Sequence, residues 1–165
     1  MNQLDAIEKI AKRDDRSRAA IFFFYFARFE YALKRAGFVT KTDDAQPDWD
    51  AFAKKHSTLV VAEKEPAFVE AVAYFRVAPP KKQVITNAGL DWADDKHCGP
   101  LDLLRLLVLV RRVRNNLFHG GKFQTGIAAE VSRDTKLLDS SLAVLEACLR
   151  SEHDITYHFS EGLFW

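Results

Sequence analysis

Two cysteines in 165 residues, Cys98 and Cys148, are too few to staple a fold, and no CxxC pair is present. They are read as small buried apolar side chains of a reducing compartment. Excess charge is also lacking. With a formal net charge of +1 nothing overall drives the chain onto nucleic acid or anionic lipid, so any RNA contact must come from a local patch. Long apolar runs are missing too. Ala19–Ala27 and Leu103–Val110 fall far short of the roughly 20 residues that span a bilayer, and the second carries Arg105. The start, Met1-Asn2-Gln3-Leu4-Asp5, is acidic and amphipathic with no signal-like core. A cytoplasmic protein with no membrane partner is expected. No internal repeat, low-complexity segment or linker divides the chain, which is read as one domain over 1–165.

Catalytic cofactor signatures are equally scarce. His97-Cys98 and Cys148 with His153 match no standard zinc-finger spacing. Neither cysteine has an activating context, and Gly120-Gly121 is a helix end, not a phosphate loop. No metal and no cofactor are expected.

What the chain has is core material and helical spacing. Its apolar share is 48%, with thirteen phenylalanines, and its charged share is an ordinary 28%. A short amphipathic segment, Leu4–Lys12, leads to a helix near Arg16–Ala36. Phe22, Phe26, Phe29 and Leu33 share one face of that helix, while Ile21, Phe24 and Tyr25 lie partly on another. So much apolar circumference predicts a central position or a subunit contact. Lys34 and Arg35 suit the helix end, and Gly37 suits a left-handed cap. Thr40–Gln46 reads as a polar loop, Asp48 as the cap of a short helix at Trp49–Ser57, and Pro66 as the opening of another at Ala67–Phe75. Pro79-Pro80 ends it.

Lys81–Gly99 reads mostly as loop, with at most a helical turn at Leu90–Asp95, because Asn87, Gly89 and Gly99 break the pattern. Pro100 opens the strongest helix, in which Leu103, Leu106, Val110, Val113 and Leu117 form one seam. Leu104, Leu107, Val108, Arg111 and Arg114 run down a neighbouring face. A last long helix repeats the spacing in Val131, Thr135, Leu138, Leu142, Leu145 and Leu149, and the two are expected to pack antiparallel. The alternation in Ile155–Phe159 reads as a short extended element within a tail (151–165) that docks on the body or on a partner.

Chemistry concentrates at Arg111-Arg112-Val113-Arg114-Asn115-Asn116-Leu117-Phe118-His119-Gly120-Gly121-Lys122. The plain reading is a helix C-terminus whose carbonyls attract solvated cations. Three details point further. Arg114 continues an apolar stripe and does not oppose it. Two asparagines in the last turns suit that place only if their amides bond something specific. His119 sits where the helix must stop. A guanidinium can hold two phosphate oxygens, an amide can fix orientation, and an imidazole can move a proton near neutral pH.

Arg-x4-His at the end of a long helix, with a polar residue after the arginine, resembles the signature of the HEPN superfamily. Val113–Lys122 is similar to the small single-domain prokaryotic members, and Arg28-Phe29-Glu30-Tyr31-Ala32-Leu33-Lys34-Arg35-Ala36-Gly37 is similar to their early helix. The resemblance implies an all-α, HEPN-like bundle of about five to seven helices with a long antiparallel pair. It implies a homodimer in which two motifs share a cleft, and metal-independent endoribonuclease activity in a toxin or antiphage system, with RNA as partner and an antitoxin or regulatory protein as another. Arg114 and His119 would be catalytic with Asn115 beside them, Glu30 and Asn116 would support them, and Arg111 and Lys122 would guide RNA. Some relatives carry a modifiable tyrosine two residues after the histidine, where this chain has Gly121. A HEPN-fold dimer that binds RNA, a nucleotide or a protein without cutting remains the alternative.

Overall fold

The first long helix, α1 (Asp14–Arg35), stops as its sequence requires. Gly37 adopts φ +92°, Phe38 N donates to Leu33 O at 2.9 Å, and Gly37 N donates to Lys34 O at 3.2 Å. This pair of bonds satisfies the last carbonyls, and the left-handed residue strains any side chain larger than glycine's. A computed structural model of the chain describes residues 14–118 and 128–161. The expected segment Leu4–Lys12 lies outside them.

Among the described residues six further helices follow: α2 (Trp49–Lys55), α3 (Leu59–Ala62), α4 (Pro66–Val77), α5 (Leu103–Phe118), α6 (Ala128–Arg150) and α7 (His153–Ser160). The described residues are thus mostly helical. Local chemistry sets the boundaries. Asp48 Oδ1 accepts from Ala51 N at 2.9 Å to open α2, and Glu65 Oε2 accepts from Phe68 N at 3.1 Å just before Pro66 opens α4. Asp102, not Pro100, opens α5, its carboxylate accepting from Arg105 N at 2.8 Å.

Residues 81–99 are not mostly loop, because β1 (Lys82–Thr86) and β2 (Gly89–Ala93) pair as an antiparallel hairpin with Gln83 opposite Trp92 and Ile85 opposite Leu90. The glycine taken as a breaker is what closes it. Gly89 has φ +106°, the left-handed position after a tight turn, and Thr86 Oγ1 donates to Gly89 O while accepting from Ala88 N. The segment Ile155–Phe159 is helical, not extended. Ile155 and Phe159, four apart, face the body together, and Tyr157 points to solvent. Arg28 on α1 fixes the end of α7, donating to Phe159 O at 2.8 Å and His158 O at 3.1 Å, where helix carbonyls lack partners.

Phe22, Phe26, Phe29 and Leu33 of α1 enter one continuous core with Leu103, Leu106, Val110 and Val113 of α5. Each fully buried phenylalanine favours the folded state by about 1.5–3 kcal/mol. The central helix is α6 and not α1. Leu137, Leu138, Val144, Leu145, Ala147 and Cys148 are all buried on α6, which packs chiefly on α4 and α1 and less on α5. By contrast, α1 keeps Ile21, Phe23 and Phe24 exposed on its far side. No described helix is long and apolar enough to cross a membrane.

Candidate functional site

Helix α5 divides its last two turns among three neighbours. Val113 points into the core. Arg112 and Asn116, four apart, bond the chain that enters the hairpin and also line a groove beside it. Arg111, Arg114 and Asn115 face that groove, of about 670 Å³. Its other walls are Glu30 on α1, Gln46, Pro47 and Trp49 at the entry to α2, and Lys82 and Gln83 at the start of β1. Five residues singled out from the sequence therefore meet on one surface: Arg111, Arg114, Asn115, Asn116 and Glu30. His119 and Lys122, with Gly120-Gly121, lie outside the described residues, of which Phe118 is the last on α5.

The cations of the groove are held in different ways. Glu30 Oε1 lies 3.6 Å from Arg114 Nη2, and the Arg114 guanidinium sits 5.0 Å from the Phe26 ring centre. Arg111 stands 5.8 Å from the Trp49 ring centre. Trp49 is only 4% exposed and is stacked on Phe29, so this cation rests on a platform tied to the core. Arg111 and Lys82 have no carboxylate partner among the described residues. Asn115 is exposed beside them.

Asn116 has a different position from Asn115. It is 6% exposed, and its Nδ2 donates to Lys81 O at 2.9 Å. Arg112 Nη1 donates to Pro80 O at 3.1 Å, and Arg133 Nη2 on α6 donates to Pro79 O at 2.8 Å. Three successive carbonyls are thus each taken by a separate side chain. Asp95, just past β2, bonds Arg105 and lies 3.3 Å from Arg112 Nη1. Burial pushes the Asp95 carboxyl upward, but the hydrogen bonds from the two arginines outweigh it and hold its pKa below the ordinary value.

Comparisons with protein-family models, curated proteins and solved structures find no match.

A second, apolar hollow of about 270 Å³ adjoins the groove, lined by Ala19, Phe22, Phe23, Arg114, Leu117 and Phe118. Around it Phe24 is 71% and Phe118 57% exposed, and the Phe23 and Phe118 rings lie 5.0 Å apart. Arg114 lines both surfaces. Elsewhere, the two cysteines part company. Cys148 is fully buried, which drives its thiol pKa up, whereas Cys98 is exposed and not buried as expected. Among the described residues no three His, Cys, Asp or Glu side chains are grouped for a metal.

Sequence reasoning missed the contributions of Gln46, Trp49, Lys82 and Gln83 to the groove. Only the β-branched run Val84-Ile85-Thr86 hinted that a strand there would carry side chains back to α5.

Proposed function

We propose that this protein is a metal-independent endoribonuclease of the HEPN type, acting in a toxin or antiphage system. The observation that carries the reading is the convergence of Arg114, Asn115 and Arg111 in one cationic groove with Glu30 beside Arg114, immediately before His119 in the chain. The reaction needs a base for the ribose 2′-hydroxyl, an acid for the departing 5′-oxygen, and positive charge on the phosphorane. As the 2′-oxygen attacks phosphorus, the bond to the 5′-oxygen breaks, leaving a 2′,3′-cyclic phosphate and a 5′-hydroxyl. Arg114 stabilises the phosphorane, steered by Glu30, and Asn115 orients the phosphate or His119. One chain supplies one motif histidine, so a symmetric homodimer completes the acid–base pair. The exposed Phe23 and Phe118 beside Arg114, with Phe24 next to Phe23, supply an apolar face for that pairing.

The purified protein should cleave single-stranded RNA in EDTA and spare a 2′-deoxy analogue. His119→Ala and Arg114→Ala should each slow cleavage by roughly 100-fold or more. Equal rates for wild type and both variants, or equal action on DNA, would refute catalysis by this site. Tight RNA association lost in the same variants, without turnover, would identify a binding protein instead.

A further inference from the structure

The hairpin is built onto the motif helix with more care than a surface loop requires. The segment that leads into it contains Pro79-Pro80, which fixes φ twice and offers no N–H for a ladder. The carbonyls of 79, 80 and 81 are held by Arg133, Arg112 and Asn116. Past the far end of the hairpin, Asp95 bonds Arg105 and Arg112 of the same helix. Both ends are thus clamped to α5, and β1 begins at Lys82 on the groove rim.

Lys82 and Gln83 line the groove with Arg111 and Arg114. Lys82, an exposed ammonium without a carboxylate partner among the described residues, is a phosphate contact by chemistry. Gln83, half-buried on the same wall, offers two donors and an acceptor in one plane, the array that reads a base edge. A groove of this volume suits one unpaired strand, whose bases can be reached from the side.

We propose that the hairpin is the specificity wall of the site: Lys82 holds an RNA phosphate next to the one at Arg114, and Gln83 selects the adjoining base. Arg112 and Asn116, bonded to the carbonyls of Pro80 and Lys81, act as positioning residues that set the wall. The inference rests on the ribonuclease reading.

The test measures binding of short, non-cleavable 2′-O-methyl homopolymers of A, C, G and U by fluorescence anisotropy over a range of salt. Lys82→Ala should weaken all four by a similar factor and lower the log–log salt slope by about one. Gln83→Ala should leave the slope alone and change the ranking among the bases, by about 5-fold or more for the favoured one. Asn116→Ala, with the contact residues intact, should blur the same ranking. Lys82 is exposed and Gln83 half-exposed, so these two variants should melt with the wild type. Wild-type binding with slope and ranking unchanged in both contact variants overturns the hairpin's role and leaves the nuclease reading standing. A lowered slope in Lys82→Ala with the ranking unchanged in Gln83→Ala overturns the base selection. Failure of the wild type to bind any probe overturns both.

Discussion

Removing the Asp95 carboxylate tests whether charge clamps the hairpin to the motif helix. In Asp95→Ala the guanidinium groups of Arg105 and Arg112 lose their shared partner. Those side chains are only 14% and 17% exposed, and Asp95 itself 12%. Deleting one partner of a fully buried pair costs about 3–5 kcal/mol, whereas an exposed pair is worth about 0–1 kcal/mol. This cluster keeps one edge in solvent, and Arg112 retains its bond to Pro80 O. The cost should therefore lie between the limits, at about 2–3 kcal/mol. At about 2–4 °C per kcal/mol for a chain of this size, the midpoint should fall by about 4–12 °C. Thermal unfolding followed by circular dichroism gives the shift, and amide exchange should show β1 and β2 opening before the helices. A midpoint within about 1 °C of wild type, with unchanged exchange in the hairpin, would refute the clamp.

The same carboxylate sets an acid dependence. Its folded pKa is depressed, so its contribution is complete above the ordinary 3.8 and fades as pH falls through the lower folded value. The stability gap between wild type and Asp95→Ala should accordingly be flat near neutrality and shrink only below that pH in denaturant titrations. Phe29→Ala, which removes a fully buried ring stacked on Trp49, should cost about 3–5 kcal/mol by urea unfolding. Phe24→Ser, at a ring 71% exposed in the single chain, should lower the mass seen by light scattering from dimer to monomer if the proposed homodimer pairs through this face. An unchanged dimer mass would remove that face from the interface. A thiol reagent should label Cys98 at once and reach Cys148 only after unfolding.

Spacing in the chain was enough to read the long helices, the Gly37 stop, the Asp48 cap and the Phe22–Leu33 stripe, because each depends on neighbours one turn away. It also suggested that the amides at 115 and 116 must bond something. What Asn116 bonds was beyond it. Asn116 reaches Lys81 across thirty-five positions, Arg111 rests on Trp49, and Lys82 and Gln83 come to the groove because two prolines and three side-chain clamps aim the strand there. The tail shows the same division, since Ile155–Phe159 fits an extended or a helical pattern over so few residues. Contact with Tyr25 and Arg28 of α1 makes it a helix. Periodicity records what a segment can bury, while partners far along the chain decide which face is buried and what stands beside it.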